Sequence, residues 1–230
     1  MSAELQVVHD GYARSDGVAS TVVLVRDGDS VVVVDPGMVA DRRLILEPLT
    51  AAGVRPEDVT DVVISHHHPD HTWHVGLFPA ARLHDVWAVY RADQWDDQPA
   101  EGRQVSPNVR LTETPGHTPQ DVSTMVTTDA GLVVCTHLWW HAGGPADDPR
   151  CTDPLALRAG RERVEDEPPV GDHAGIDDDH AVAVPHEDDG RGDPVGPGVP
   201  VVHDLQLGAH GWERKTPVRG GRLRPDLRMN

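Results

Sequence analysis

The sequence has few cysteines and no long apolar run. Its two cysteines, Cys135 and Cys151, are too few for a disulfide framework and form no CxxC pair. No apolar run approaches the roughly 20 residues that a membrane-spanning helix needs. The first residues also lack the basic and apolar regions of a secretory signal. These absences predict a cytoplasmic protein with no membrane partner.

Positive charge is also scarce. The 230 residues contain 20 Lys and Arg against 38 Asp and Glu, which gives a formal net charge of -18. Such a surface repels phosphate backbones, so a small-molecule substrate is favoured over a nucleic acid. A nucleic-acid partner would need a local basic patch, for which residues 214–228 are the candidate segment. The oligomeric state has no signature in the sequence.

The first 164 residues alternate between β-branched runs and turn residues. Asp27-Gly28 separates two such runs, residues 19–25 and 30–34, and predicts a hairpin. A helix is predicted over residues 41–53, with Asp41 as its N-cap. The further predicted elements are strands over residues 61–65, 83–90 and 109–113, a hairpin of residues 122–127 with 132–136, and a helix over residues 153–164.

The character of the chain changes after residue 164. Residues 165–230 contain 10 glycines and 8 prolines, and ten acidic residues fall within residues 165–189. Such a composition buries little apolar surface and favours irregular or disordered structure. We therefore predict a domain core over residues 1–164, followed by an atypical segment that either completes the domain or is disordered.

The most informative stretch is SHHHPDH, residues 65–71, which directly follows an apolar run. Side chains two residues apart in an extended loop project to the same side, so His66 and His68 can reach one ion. Asp70 and His71 follow across a proline-containing turn, which can aim them at a second position. These ligand types suit zinc, with iron and manganese as alternatives. A solvated His-rich loop is the competing interpretation, and the improbability of HxHxDH arising at random disfavours it.

The HxHxDH motif after an apolar strand resembles the metallo-β-lactamase-fold hydrolases. Asp35-Pro36-Gly37 is similar to the family's Asp-x-Gly turn, and TPGHT at residues 114–118 is similar to the motif that supplies the next ligand. The resemblance covers roughly residues 5–164 and is most like the branch of metallo-β-lactamase-domain-containing proteins. It implies an α/β fold, an αββα sandwich, with metals held by loops at one edge of the two sheets.

The resemblance also implies a role for each of the site residues. His66, His68 and His117 would hold a first metal, while Asp70 and His71 would begin a second site. Asp70 would in addition orient the metal-bound hydroxide, which makes it the expected catalytic residue. One or two zinc ions are the expected cofactors.

Two positions depart from the family's pattern. The family usually has an aspartate that bridges both metals where this chain has His137. A neutral imidazole offers one lone pair and cannot bridge, so His137 either ligates one ion or only lines the site. The family's late Pro-Gly-His-Gly loop is missing, and His186 in the run VAVPH is the candidate for the last ligand, with His203 as another.

The expected function is a metal-dependent, zinc-using hydrolase that attacks an ester, a thioester or a lactam-type small molecule with a metal-bound hydroxide. Two alternatives stay open. One is a metal-dependent ribonuclease or phosphodiesterase, because animal members of this branch are associated with RNA processing. The other is a degenerate metal-binding member without activity, which the altered bridging position and the missing late loop would explain.

Overall fold

A computed structural model describes residues 2–14, 16–139, 148 and 150–167. Valine-rich runs dominate the strands, and turn residues separate them. The strands are β1 (Glu4–His9), β2 (Tyr12–Arg14), β3 (Gly17–Ala19), β4 (Val22–Asp27), β5 (Ser30–Val34), β6 (Asp61–Val63), β7 (Arg82–His84), β8 (Ala88–Arg91), β9 (Gln94–Asp97), β10 (Gln104–Ser106), β11 (Val109–Glu113), β12 (Val122–Thr128) and β13 (Gly131–Cys135). The helices are α1 (Arg43–Ala51), α2 (Pro69–Thr72) and α3 (Pro154–Glu165), with 3-10 turns at Pro56–Asp58 and Val75–Leu77.

These strands form two main sheets. The larger sheet has seven strands in the order β1-β4-β5-β6-β7-β8-β9, and β5, β6 and β7 run parallel. The smaller sheet has four antiparallel strands in the order β10-β11-β12-β13, and β2 pairs with β3 as a separate hairpin. The parallel strands place the loops that follow β5 and β6 at the same edge of the larger sheet.

The two sheets and two helices form four layers. Val23 and Val25 of β4 face the smaller sheet and share a buried cluster with Leu111 of β11. The alternate side chains of β4, Val22 and Leu24, face the opposite way. Val22 and Leu24 share a second buried cluster with Ile45 and Leu49 of α1. A third cluster packs Met125 and Val134 of the smaller sheet against Leu157 of α3. This arrangement is the αββα sandwich that the resemblance implies.

Most of the predicted elements are confirmed, and two predictions are wrong. The residues predicted as one strand, 83–90, form β7 and β8, because the Asp85 carboxylate accepts hydrogen bonds from the backbone N–H groups of Trp87 and Ala88 and reverses the chain. Asp41 is not the N-cap of α1, which is Arg42, although Asp41 accepts a hydrogen bond from the Arg43 backbone N–H.

The helix at the end of the described region follows its prediction closely. Asp153 caps α3 by accepting hydrogen bonds from the backbone N–H groups of Leu155 and Ala156, with Pro154 at the first helical position. The helix ends at Glu165, and residues 168–230 lie outside the described part, so the domain division at residue 164 stays a prediction. None of the helices within the described residues is long and apolar enough to cross a membrane.

Candidate metal centre

Three histidine side chains from two loops converge at the edge of the sheets. His66 and His68 lie in the loop after β6, and His117 lies in the loop after β11. The Nδ1 atom of His68 lies 3.0 Å from Nε2 of His66 and 3.1 Å from Nε2 of His117. His66 and His117 are buried, whereas His68 is exposed, so the group is open to solvent on one side. Their ligand nitrogens lie within 4.8 Å of one another, close enough to hold a metal ion.

A second group adjoins the first through His66. His71 is the third residue of α2, and His137 lies two residues after the end of β13. Their Nε2 atoms lie 3.1 Å apart, and the ligand nitrogens of His66, His71 and His137 also lie within 4.8 Å of one another. Asp70 stands beside this group, with Oδ2 3.3 Å from Nε2 of His71.

A carboxylate lies behind each of the three buried histidines. Nδ1 of His71 lies 2.9 Å from Oδ2 of Asp35, and Nδ1 of His66 lies 3.4 Å from Oδ1 of Asp121. Nδ1 of His117 contacts the carboxylate of Asp148, which is itself buried. A carboxylate at Nδ1 keeps the proton on that nitrogen and leaves the lone pair on Nε2 for a metal.

Asp35 also fixes the start of the SHHHPDH loop. Its carboxylate accepts hydrogen bonds from the backbone N–H and the hydroxyl of Ser65, at 2.7 and 2.8 Å. Asp35 has a φ of 51°, a conformation that an aspartate adopts at some cost in energy. Its backbone N–H donates to Val63 and its carbonyl accepts from the Ser20 hydroxyl, and these bonds hold it there.

Gly37 allows the SHHHPDH loop to pack against the loop after β5. A Cβ atom on Gly37 would lie 1.4 Å from the backbone oxygen of Asp70 and 2.5 Å from the backbone nitrogen of His71. No side chain fits in this space. The Asp-x-Gly turn therefore contributes both a carboxylate partner for His71 and the close contact that positions α2.

Burial and charge give these groups different protonation states. Burial and the neighbouring imidazoles lower the pKa of His66, and burial and His117 lower that of His68. Both therefore present neutral rings at pH 7. Burial alone would lower the pKa of His71, but the carboxylates of Asp35 and Asp70 outweigh it and raise that pKa to about 9. A metal that binds His71 must displace this proton.

The predicted residues fall into two sets. The structure brings together His66, His68, Asp70, His71, His117 and His137. His186 and His203 lie outside the described residues. Asp121 and Asp148 were not predicted. Asp121 lies four residues after His117, just beyond the TPGHT motif, and Asp148 has no local signal in its Gly- and Pro-rich stretch.

The metallo-beta-lactamase superfamily model matches residues 15–220 of this chain. The chain belongs to this superfamily. Its members are generally hydrolases, and the superfamily typically binds metal ions, which agrees with the histidine groups.

Several known proteins are similar to this chain in sequence. Metallo-beta-lactamase domain-containing protein 1 of Xenopus laevis is 30% identical over 174 residues, which are 70% of this chain and 72% of that protein. The mouse protein of the same name is 34% identical over 67% of this chain and 62% of its own length. An uncharacterized Caenorhabditis elegans protein, C03F11.2, is 33% identical over 47% of this chain. The chain spans less than two thirds of the mouse protein and 32% of the C. elegans protein.

Solved structures share the fold at lower identity. A Thermotoga maritima protein superposes with a TM-score of 0.57 at 20% identity, covering 71% of this chain and 92% of that one. An N-acyl homoserine lactone hydrolase, with its product N-hexanoyl-L-homoserine bound at the catalytic metal center, superposes with a TM-score of 0.54 at 16% identity, covering 71% of this chain and 87% of that one. These likenesses establish the fold and leave the substrate open.

Proposed function

We propose that this protein is a zinc-dependent hydrolase of small molecules with an ester, thioester or lactam bond. The observation that carries the proposal is the convergence of two histidine groups whose ligand nitrogens are directed by buried carboxylates. The fold is compatible with this reaction, since a lactone hydrolase shares it. The net charge of -18 favours a small molecule over a polyanion as substrate.

The donor nitrogens fit a metal ion. Two ligands about 2.05 Å from a tetrahedral zinc ion lie about 3.3 Å apart. The distances from Nδ1 of His68 to Nε2 of His66 and of His117, 3.0 and 3.1 Å, are close to this spacing. We assign these three residues to a first metal position.

The second metal position would use different ligands from those the family pattern implies. The single lone pair of His66 Nε2 serves one ion, so a second ion needs ligands from Asp70, His71 and His137. The 3.1 Å between Nε2 of His71 and Nε2 of His137 suits two ligands on one ion. His137 would then be a terminal ligand rather than a bridge, and the position would have three protein ligands without any from residues 168–230.

A zinc ion at these positions would lower the pKa of its water ligand to about 7 and polarise the attacked carbonyl group. Asp70 contributes a neighbouring hydrogen-bond acceptor. Burial raises the pKa of its carboxyl group, but the hydrogen bond and charge of His71 outweigh this and keep the pKa below its ordinary value. Asp70 is therefore an ionised acceptor that can orient the nucleophile.

Metal content is the direct test of this assignment. After exchange into zinc and removal of the excess, elemental analysis should find two zinc ions per chain in the wild type and one in His137→Ala. His68→Ala and His117→Ala should each lose the ion at the first position and retain one, and His67→Ala should match the wild type, because its ring stacks on Trp87 and is in neither group. Full metal retention by His117→Ala would refute the ligand assignment.

Activity tests the reaction class separately. The zinc-loaded protein should hydrolyse p-nitrophenyl acetate, lose this activity with a chelator and regain it with zinc. Manganese and iron(II) tested in parallel identify the preferred metal. A protein that binds metal but hydrolyses neither esters nor RNA would be the degenerate member, and cleavage of RNA at low salt without ester hydrolysis would favour the phosphodiesterase.

A further inference from the structure

Tryptophan is unusually exposed in this protein. Three of the four tryptophans in the described residues, Trp73, Trp87 and Trp95, are exposed, with 66%, 50% and 65% of their surface accessible. Indole rings contribute large apolar areas and are usually well buried on average. Exposed aromatic rings beside a candidate active site are therefore candidate binding surfaces.

The Trp87 ring contacts a histidine side chain of the SHHHPDH loop. It stacks on the imidazole of His67, with centroids 5.1 Å apart and an interplanar angle of 22°. His67 lies between His66 and His68, whose rings face the metal centre, while its own ring faces the β7–β8 turn. His67, one member of the stacked pair, is therefore adjacent in the chain to two of the proposed ligands.

The Asp85 carboxylate contacts both residues of the stacked pair. One carboxylate oxygen, Oδ1, accepts the Trp87 backbone N–H at 2.8 Å, and the other, Oδ2, lies 3.3 Å from Nε2 of His67. The Tyr90 hydroxyl donates to Oδ2 as well, at 2.8 Å. The buried guanidinium of Arg103 donates to the Asp85 and Ala88 carbonyls at 2.9 and 3.0 Å.

These bonds make the turn a fixed support. Every partner of the Asp85 carboxylate belongs to the turn itself, to β8 or to the SHHHPDH loop, so the Trp87 backbone and the His67 ring are held in place before any substrate arrives. Preorganised rings bind planar groups with little loss of conformational entropy on binding. Half of the Trp87 surface stays exposed and available for such a contact.

We propose that Trp87 and His67 form a stacking surface that binds an uncharged planar group of the substrate beside the metal centre. This deepens the proposed function, on which it rests, by naming the substrate class: esters or related compounds with an aromatic or conjugated portion. An anionic group is disfavoured because the Asp85 carboxylate lies next to the stack. Trp87 acts as a specificity residue, since it contacts the non-reacting part of the substrate.

Phenyl acetate and cyclohexyl acetate are similar in size, and only the first has a planar ring. Because phenol is also the better leaving group, KM is compared between variants on the same ester. In Trp87→Ala the KM for phenyl acetate should rise about 3- to 10-fold, the range expected for an aromatic pair, with kcat and zinc content unchanged. The KM for cyclohexyl acetate should change less than about twofold. Trp87→Phe should recover part of the loss. Equal effects on both esters, or none on either, would overturn the proposal.

Trp95→Ala is the control variant. Trp95 is as exposed as Trp73, but it packs on Tyr90 at 4.8 Å and donates its indole N–H to Asp97 at 2.7 Å, within its own hairpin. Its removal should leave both KM values unchanged. If Trp95→Ala raised the phenyl acetate KM as much as Trp87→Ala, the effect would belong to the hairpin as a whole, and the proposed role of Trp87 would be wrong.

Binding without hydrolysis separates this inference from the proposed function. Benzamide, which is planar and is not an ester, should shift the NMR signal of the Trp87 indole N–H and not that of Trp95, whereas cyclohexanecarboxamide should shift neither. If neither acetate is hydrolysed but benzamide shifts only Trp87, the stacking surface stands and the ester hydrolase fails. If benzamide leaves the Trp87 signal in place, the stacking surface is wrong whatever the hydrolytic activity.

Discussion

Nδ1 of His117 contacts the buried carboxylate of Asp148, a residue 31 positions further along the chain. This contact places the proton of His117 on Nδ1 and leaves Nε2, the atom that faces His68, with its lone pair. Asp148 is therefore positioned to act on the candidate metal centre through His117.

Asp148→Asn should weaken zinc binding by 10- to 100-fold, the usual effect of losing a carboxylate behind a metal-bound histidine. Competition with a chelator of known affinity measures this. Asp29→Asn, a change in the exposed turn between β4 and β5, is the control and should bind zinc like the wild type. Zinc affinity within twofold of the wild type in Asp148→Asn would show that the contact does not orient His117.

Gly37→Ala should displace the segment that carries Asp70 and His71, because the added Cβ would lie 1.4 Å from the backbone oxygen of Asp70. We expect a loss of about 1–3 kcal/mol in the free energy of unfolding, the range for an overpacked site, together with reduced zinc content. Gly76→Ala is the matched control, since nothing lies within 4 Å of its added Cβ. Denaturant unfolding and elemental analysis measure both effects, and an unchanged midpoint with full zinc content would contradict the close contact.

The pH dependence of stability should reflect Asp61, a fully buried carboxylate bound by His84 and by Nε of Arg82, both at 2.7 Å. Burial by itself raises its pKa, but the hydrogen bonds from His84, Arg82 and Thr60 outweigh burial and lower the pKa below 3.8. The folded-state pKa is therefore below the unfolded-state value. The contribution of the ionised Asp61 carboxylate to stability is complete above about pH 4 and is lost as the pH falls through the folded-state pKa.

Asp61→Asn should lower the free energy of unfolding by about 2–3 kcal/mol at pH 7, because two charge-assisted hydrogen bonds lose their anion. The loss is not larger because the Arg82 side chain is partly exposed, and solvent screens its charge. The difference from the wild type should shrink as the pH falls below 4. Urea unfolding at several pH values tests this, with Asp29→Asn as the control. A difference that stays constant down to pH 2 would show that Asp61 does not carry the acid dependence.

Much of the fold followed from local patterns. The strand at Ser30–Val34 and the helix capped by Asp153 were predictable because β-branched runs and N-cap signals act within a few residues. The division of residues 83–90 into two strands was not, because the Asx-type turn at Asp85 interrupts a run that has no glycine or proline. The edge strand β9 was also missed, since its four residues are all exposed and lack the alternation of a half-buried strand.

The sequence by itself determined the family and the order of the candidate metal ligands, because a metal site needs particular donor atoms and HxHxDH carries imidazole and carboxylate groups within six residues. Only the tertiary structure decided that His137 lies beside His71, that Asp148 lies behind His117, and that His67 faces Trp87. Those relationships join residues 66, 31 and 20 positions apart. The packing of two sheets brings such residues together, and no local pattern in the chain encodes the distance between the loops at their edge.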